Sequence, residues 1–319
     1  MDAISTLLAQ LPRDFPAAVL IVMHTAPTQR GLADVFAKSS ALPVAWAVDE
    51  SPVRPATVRV APPDRHTVLA DGTVRVVSGP RVNLHRPAID PLFRSAAVNY
   101  SGRAIGVLLT GYRDDGVAGL AAIKEAGGAV VVQEPAEAEA PDLPENAIRS
   151  VRVDRILPLS GMGAALLDLV TSRAPPAVPP DPALAAEVRL EGGETVHESL
   201  DDMGERAVLS CPECGGGLWE IGVGGALRHF RCRVGHSLSP ELMLDQQGEN
   251  VERDLWAAVR ALQERASFAG RLARDIRFSG AEGVAAGYEE EARRSADQAD
   301  RARRFILEMQ AERARRPYR

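Results

Sequence analysis

Two side chains capable of acid–base chemistry follow predicted buried strands at the point where each strand ends. His24 follows the apolar run Ala17–Met23, and Asp115 lies a few residues beyond the run Ile105–Leu109. Residues just past the carboxyl ends of parallel strands line the ligand crevice of an open sheet. A histidine and a carboxylate at that edge could act as the general base and the orienting acid of a nucleophilic hydrolase. Taken alone, a histidine after a strand is more often structural, and the aspartate of Asp-Asp-Gly is more often a turn residue.

The cysteines form a second chemically distinctive group. They occur in the strings Cys211-Pro-Glu-Cys214 and Cys232-Arg-Val-Gly-His236. Three thiolates and one imidazole make the closed donor set of structural zinc, and a redox-active Cys-x-x-Cys with an unrelated third cysteine is the alternative. Three cysteines cannot all pair with one another, so the spacing favours a metal and a reducing compartment, the cytoplasm. We therefore predict a structural zinc bound by Cys211, Cys214, Cys232 and His236, and no cofactor for catalysis.

The elements that must position His24 and Asp115 alternate between strand and helix over residues 1–172. This alternation favours an α/β fold with a mainly parallel, doubly wound sheet. The predicted strands are Ala17–Met23, Thr57–Ala61, Ile105–Leu109, Ala129–Gln133 and Val153–Leu157, with a hairpin over His66–Ala70 and Thr73–Val77. The predicted helices are Ile4–Gln10, Ile89–Tyr100, Val117–Ala126 and Met162–Ser172.

The second half of the chain divides into three predicted segments. Residues 173–206 begin with five prolines between 174 and 182, and we interpret them as a semi-rigid linker that runs into a polar stretch. Residues 207–240 form a small zinc-ribbon-like module, with a hairpin of Leu218–Ile221 and Ala226–Phe230 across the glycines at 222–225. Residues 241–315 form an antiparallel helical hairpin. The apolar positions expected to join its helices are Val251, Leu255, Ala258, Leu262, Ala266, Ala269 and Leu272, facing Val284, Tyr288, Ala299, Phe305, Ile306 and Met309.

Composition excludes several classes of function. The formal net charge of −6 gives no overall attraction to nucleic acid. The longest apolar run, Ala17–Met23, is far too short to cross a bilayer, so we predict no direct membrane insertion. No basic segment precedes an apolar core at the N-terminus, as a signal peptide requires.

A series of strings in residues 1–170, in the right order, resembles the catalytic domain of the chemotaxis protein-glutamate methylesterases. The strings are Val22-Met-His24, Ala61-Pro-Pro-Asp-Arg-His66, His85-Arg-Pro-Ala-Ile-Asp-Pro-Leu-Phe93, Leu109-Thr-Gly-Tyr-Arg-Asp-Asp-Gly116, Glu125-Ala-Gly-Gly128 and Gln133-Glu-Pro-Ala136. The resemblance implies a Ser–His–Asp hydrolase that cleaves glutamate methyl esters on receptors and, in some members, deamidates glutamine.

The resemblance also implies roles for individual residues. His24 is the general base, Asp115 orients it, and the backbone N–H of Tyr112 could serve an oxyanion hole. The family usually has Met and Gly where this chain has Tyr112 and Arg113. The resemblance places His85 and Asp90, an alternative dyad, on a substrate-facing loop and helix. His66 opens the predicted hairpin, which favours a loop contact over a general base.

The nucleophile has no match among these residues. The family carries its serine in a Gly-x-Ser-x-Gly-Gly turn after the first strand, and the string at Met1–Leu8 resembles the family's segment directly after that turn. Ser5 lies inside a predicted helix rather than on a strained elbow. The resemblance therefore places the strand and the serine upstream of Met1, and either a start assigned too late or an inactive remnant would explain this. A chain without this internal strand would have unpaired N–H and C=O groups along the neighbouring strands, each costing roughly 1–3 kcal/mol if buried. Such a chain should fold poorly, so we favour the misassigned start.

The predicted function is hydrolysis of protein γ-glutamyl methyl esters, with a methylated receptor as substrate. The alternative is a catalytically inactive signalling or scaffold protein that binds partners through its zinc module and helical hairpin. In either case the C-terminal helices are candidates for a protein partner. An in-frame serine turn in the genomic sequence upstream of Met1 would distinguish the two functions.

Overall fold

The computed structural model describes residues 1–315 apart from 27, 173–175, 177, 194–199 and 223–227. The chain forms two compact units, Met1–Met243 and Leu244–Arg319. None of the helices in the described ranges is both long enough and apolar enough to cross a membrane.

The first 171 residues alternate between strand and helix, as the sequence predicts. The helices are α1 (Asp2–Leu8), α2 (Leu32–Ala37), α3 (Ile89–Tyr100), α4 (Val117–Glu125), α5 (Asp142–Ser150) and α6 (Leu159–Thr171). The strands are β1 (Ala18–Ile21), β2 (Val44–Trp46), β3 (Ser51–Pro52), β4 (Thr57–Val60), β5 (His66–Ala70), β6 (Thr73–Val77), β7 (Ile105–Leu108), β8 (Ala129–Gln133) and β9 (Arg155–Leu157).

The prediction of a parallel sheet with helices is confirmed, but the sheet is divided in two. One half has the order β1-β4-β2 and the other β7-β8-β9, and every pairing within them is parallel. The predicted hairpin of β5 and β6 is present and pairs antiparallel across Asp71-Gly72. The short strand β3 extends that hairpin into a third sheet.

A cavity of about 920 Å³ separates the two parallel halves. Its walls include Leu20 of β1, Ile105 of β7, Phe93 of α3 and Ile123 of α4. We call it the inter-sheet cavity. In the part of the chain that the structure describes, β1 pairs with β4 alone and β7 with β8 alone, so one edge of each strand faces this cavity without a partner strand.

The segment predicted as a linker contains regular structure. Helix α7 (Pro182–Glu191) follows Asp181, whose side chain accepts a hydrogen bond from the N–H of Ala183 at 3.0 Å, and α8 (Leu200–Met203) follows at the end of the segment. Pro182 occupies the first turn of α7, where its fixed φ and missing N–H suit a helix start. The prediction treated this proline as a helix breaker only. The remaining positions 173–175, 177 and 194–199 lie outside the described residues.

The cysteine-containing module is a four-stranded antiparallel sheet. Its strands are β10 (Gly204–Ser210), β11 (Gly217–Ile221), β12 (His229–Cys232) and β13 (Ser237–Leu238), in that spatial order. Strands β11 and β12 pair antiparallel, with Ile221 opposite His229. Most of the predicted glycine turn between them, and the predicted strand start at Ala226, lie outside the described residues.

A buried ion network holds α7 against α3 and β12. Arg94 donates to Glu191 at 2.6 Å and lies 3.9 Å from Glu187. Glu187 also accepts from Arg231 at 3.0 Å and from His229 at 2.8 Å. Burial acts to raise the pKa of Glu187, but Arg94, His229 and Arg231 hold that pKa well below its ordinary value. The network therefore joins the module to the domain that carries α3.

Replacing Glu187 by glutamine is expected to lower the free energy of unfolding by about 3–5 kcal/mol, because the substitution removes the buried carboxylate that accepts from Arg231 and His229 and leaves Glu191 as the remaining acid of the network. Urea unfolding followed by circular dichroism measures the change. The matched control is Glu205→Gln at an exposed position, expected to stay within about 0.5 kcal/mol of the parent. Equal stability of the two variants would show that the network contributes nothing.

The second unit consists of two long helices. Helix α9 (Pro240–Phe278) begins at the end of the first unit, and α10 (Glu282–Arg315) follows a short turn at Gly280. Gln310 donates to Glu252, and Arg265 pairs with Glu291 at 2.8 Å. Because the start of α9 contacts the end of α10, the two helices are antiparallel.

The apolar stripe of this hairpin differs from the predicted one. Val251, Val284 and Phe305 were expected to join the helices, but each is at least half exposed. Ala269, Ala299 and Ile306 are buried as predicted, and the unpredicted positions Val259, Ala273 and Ala285 are buried with them. Most of them are alanines, whose lack of bulk makes the buried stripe difficult to identify from hydrophobicity alone.

Candidate active site

The structure brings His24 and Asp115 together at the carboxyl ends of β1 and β7. Nε2 of His24 lies 2.7 Å from Oδ2 of Asp115, although 91 residues separate them in sequence. The Asp115 side chain is 4% exposed, whereas the His24 side chain is 32% exposed. An inaccessible carboxylate thus holds an imidazole that solvent and ligands can reach. The catalytic roles of the two residues stay predictions.

Asp115 is fixed by donors on both of its oxygens. Oδ2 accepts the N–H of Ile89 at 2.7 Å, and Oδ1 accepts the side-chain amide of Asn83 at 3.0 Å and the N–H of Asp90 at 3.4 Å. Ile89 and Asp90 are the first residues of α3, so the carboxylate lies at the positive end of that helix. Burial acts to raise the pKa of Asp115, but the bond and charge of His24, with the N–H of Ile89 and the Asn83 amide, bring that pKa below its ordinary value.

This arrangement selects one tautomer of His24. An ionised carboxylate only accepts hydrogen bonds, so Nε2 of His24 carries the proton that it shares with Asp115. Within the described residues, Nδ1 of His24 has no hydrogen-bond partner. Its lone pair is therefore available to take a proton from a nucleophile.

His85 stacks directly on His24. The ring centroids are 3.6 Å apart and the planes differ by 10°. Burial, together with the neighbouring charge of His24, lowers the pKa of His85 to about 4. His85 is thus neutral at physiological pH. The alternative dyad is not formed, because in the described structure Asp90 bonds to Asn83 and to the N–H of Gly119 rather than to His85.

His66 has a structural position. Its Nε2 donates to the carbonyl of Pro80 at 2.8 Å, and its Nδ1 accepts from the N–H of Ala88 at 3.3 Å. Burial lowers the pKa of His66, in keeping with a neutral ring whose two nitrogens are both engaged. The residue ties together the segments before and after His85.

Tyr112 lies on the loop between β7 and α4. Its side chain is exposed, and within the described residues its backbone N–H has no acceptor. By contrast, the N–H of Gly111 donates to Ala140 at 3.0 Å, and the N–H of Thr110 donates to the side chain of Gln133 at 2.8 Å. Of these three consecutive donors, only that of Tyr112 is available to a ligand. Its oxyanion role stays a prediction.

Asn83 was not predicted from the sequence as a site residue. Its side chain bridges Asp115 and Asp90, with the second hydrogen bond at 2.9 Å. Asn83 and Leu84 are the central residues of a tight turn between Val82 and His85, and their φ values are +49° and +66°. Turns of this kind favour asparagine. That preference was the available signal, but it does not reveal the long-range contacts to two carboxylates.

The four predicted metal ligands converge. Their donor atoms all lie within 4.8 Å of one another. The sulfurs of Cys214 and Cys232 are 3.7 Å apart, and the sulfur of Cys232 is 3.5 Å from Nδ1 of His236. Tetrahedral zinc with bonds of about 2.3 Å to sulfur and about 2.0 Å to nitrogen requires separations of about 3.8 and 3.5 Å. The residues present therefore fit the ion.

Two backbone turns position these ligands. The N–H of Gly215 donates to the backbone carbonyl of Cys211 at 2.8 Å, and the N–H of Gly235 donates to the backbone carbonyl of Cys232 at 2.9 Å. Both glycines have positive φ, +72° and +109°, which a side chain would strain. Burial raises the pKa of the Cys211 thiol to about 12. A bound cation is the means by which proteins hold such a thiol as thiolate.

A histidine oriented by a buried carboxylate at the carboxyl edge of a parallel sheet is the arrangement by which α/β hydrolases prepare a general base. The chain belongs to the CheB methylesterase family, whose family model matches residues 1–166. The resemblance to the chemotaxis methylesterases is thus confirmed. The match ends before α7 and the cysteine-containing module.

Named relatives agree with this assignment. A protein-glutamate methylesterase/protein-glutamine glutaminase of Anaeromyxobacter dehalogenans is 40% identical over 168 residues, which are 52% of this chain and 49% of the relative. A putative enzyme of the same description from Leptospira interrogans is 36% identical, over 53% of this chain and 89% of its own length. The chain thus spans about half the length of the first relative.

One solved structure matches the same region. The catalytic domain of the CheB methylesterase of Thermotoga maritima superposes with a TM-score of 0.51 and 30% identity. The match covers 53% of this chain and 92% of that domain. The likeness is therefore to almost the whole of the Thermotoga domain and to the first half of this chain.

Proposed function

We propose that this chain supplies the general base and the orienting carboxylate of a cytoplasmic protein-glutamate methylesterase that acts on methylated receptors. The observation that carries the proposal is the 2.7 Å contact between Nε2 of His24 and the buried carboxylate of Asp115. The contact leaves Nδ1 of His24 as the only ring nitrogen able to accept a further proton. The relatives are protein-glutamate methylesterases/protein-glutamine glutaminases by name, and we take the substrate class from them.

The reaction follows from this geometry. A serine hydroxyl gives its proton to Nδ1 of His24 as its oxygen attacks the ester carbonyl, and the N–H of Tyr112 stabilises the oxyanion. The histidine then returns the proton to the departing methoxide, which leaves as methanol. Water gives a proton to the same nitrogen as it attacks the acyl-serine. The histidine returns that proton to the departing serine oxygen, and the glutamate product ionises to its carboxylate. Attack on a glutamine side chain would release ammonia by the same steps.

We further propose that the serine arrives on a strand that fills the inter-sheet cavity. The cavity lies between the two unpaired edges of β1 and β7, so a parallel strand there would find backbone partners on both sides. The carboxyl end of such a strand would emerge between the ends of β1 and β7. Those ends carry His24 and the loop to Asp115, so a residue just after the strand would lie beside Nδ1 of His24.

The genomic sequence upstream of the Met1 codon tests the proposal. We expect an in-frame apolar strand followed by Gly-x-Ser-x-Gly-Gly, and we expect the extended protein to release methanol from methylated receptor peptides. Residues 1–319 alone should show no turnover, and neither should the extended protein with this serine replaced by alanine. Robust turnover by residues 1–319 would refute the assignment of the nucleophile. Absence of the upstream strand would favour the inactive scaffold.

For the second half of the first unit we propose a structural zinc bound by Cys211, Cys214, Cys232 and His236. The separations of the donor atoms support it. All four positions of a tetrahedral ion would be taken by protein, so the metal would order the module and leave no site for substrate.

A further inference from the structure

We propose that the metal site is coupled to the His24–Asp115 pair through the turn Val82–His85, with Asn83 as the positioning residue. The inference rests on the proposed function, since it assigns the metal module a part in setting the geometry of the general base. All the contacts that carry it lie within the first unit.

Asn83 contacts both sites at once. Its backbone N–H donates to the carbonyl of Ser237 at 2.8 Å, and its side-chain oxygen accepts the N–H of Ser239 at 3.1 Å. Its side-chain amide donates to Asp115 and Asp90. Asn83 is 5% exposed, so solvent does not compete for these bonds. One amide group thus connects the catalytic carboxylate to the strand end that follows the metal ligand His236.

The neighbouring residues of the turn strengthen this connection. Leu84 packs against the buried residues of the metal module, which are Cys211, Leu218, Cys232, Leu238, Leu242 and Met243. His85 stacks on the ring of His24. The module therefore holds a turn that contacts both His24 and Asp115. Asn83 of this turn bonds to Asp115, and His85 stacks on His24.

The backbone of this turn needs that support. A non-glycine residue with positive φ is strained, and Asn83 and Leu84 both have positive φ. The contacts of the turn to the module run to Ser237 and Ser239, immediately after His236. The carbonyl of His236 accepts the N–H of Cys232 at 3.0 Å, which ties the strand end to two ligands. Loss of the metal would free this strand end, and the turn would lose the bonds that keep its strained conformation.

Coupling of this kind is reciprocal in binding free energy. Metal occupancy should order the His24–Asp115 hydrogen bond, and removal of the Asn83 amide should weaken metal binding. We expect Asn83→Gly to raise the zinc dissociation constant about tenfold. Glycine keeps the positive φ and the backbone N–H, so the variant removes only the amide. Asn99→Ala is the matched control, because Asn99 bonds to Leu69 and Ser95, away from the module.

The test uses the full chain and needs no turnover. The imidazole N–H resonance of His24, identified by its loss in His24→Asn, is followed by NMR with and without zinc. Zinc removal is expected to broaden or shift this resonance in the parent and in Asn99→Ala. In Asn83→Gly the resonance should respond less to zinc, because the amide bond to Asp115 is lost while the backbone N–H to Ser237 and the His85 contact with His24 remain. The indole N–H of Trp46 on β2 reports whether the parallel sheets stay folded, and that of Trp219 reports on the module.

Three results would overturn the coupling. These are an unchanged His24 resonance on zinc removal in the parent, the same zinc response in Asn83→Gly as in the parent, and failure of the parent to bind zinc. The parent measurement decides the matter even where Asn83→Gly folds poorly. A protein that shows the coupling but gains no esterase activity with an upstream serine refutes the proposed function alone.

Discussion

Replacing His24 by alanine is expected to lower kcat at least about 10⁴-fold in a protein that carries the proposed serine-bearing strand. The loss follows from removing the only group positioned to take the serine proton, since general bases that act as a unit with a nucleophile contribute factors of this size. Methanol release from a methylated receptor peptide, measured at saturating peptide, gives kcat directly.

The partner substitution Asp115→Asn should cost a comparable factor for a different reason. An amide can present an N–H to Nε2 of His24, which would move the ring proton to Nδ1 and remove the lone pair that the serine requires. Asp14→Asn, at an exposed position far along the chain from either residue, should retain full activity. If His24→Ala keeps more than a few per cent of the parent kcat, the base lies elsewhere.

Removing the proposed zinc is the second change with a large expected effect. The buried core of the module consists of only six residues, two of them the ligands Cys211 and Cys232. Domains this small depend on metal for folding, and zinc contributes on the order of 10 kcal/mol to modules of comparable size. We therefore expect a chelator, or the substitution Cys211→Ser, to unfold the sheet β10–β13.

The fluorescence of Trp219 measures this unfolding, because Trp219 is buried on β11. Its emission should move to longer wavelength without metal, and a low-temperature melting transition should appear. Ser210→Ala, adjacent to the ligand but with an exposed side chain, should bind about one zinc per chain and melt like the parent. Native Trp219 emission in protein shown by elemental analysis to lack zinc would rule out a structural metal.

The contact between His24 and Asp115 was predictable because its geometry follows from topology. Parallel strands deliver the residues after their carboxyl ends to one edge, so the runs before His24 and before Asp115 sufficed to bring them together. The helix at Ile89–Tyr100 and the hairpin at Asp71-Gly72 carry equally local signals and were predicted at the observed bounds. The convergence of Cys211, Cys214, Cys232 and His236 was predictable from their spacing within short loops.

Features that depend on distant partners were not predictable in the same way. Asn83 is 32 residues from Asp115 and 156 from Ser239, and its own turn gives no indication of either contact. Strand β2 has only three residues, too few to show a period. Helix α7 was not predicted because the prolines before it indicated a linker. Its Glu187 is typical of a surface residue in sequence, and only the contact with Arg94 in the fold explains its burial.

The ion network around Arg94 also affects how this chain could be shortened or recombined. The family match stops at residue 166, yet Arg94 has its acid partners on α7, beyond that boundary. A chain cut at the end of the match would leave the guanidinium group of Arg94 without its two carboxylates on α7. The cut would also expose the apolar side chains that α7 covers. The segment that can fold as a unit is therefore longer than the part that matches the family. A transplant of the matched part alone would lose α7 and expose residues that are buried in this protein.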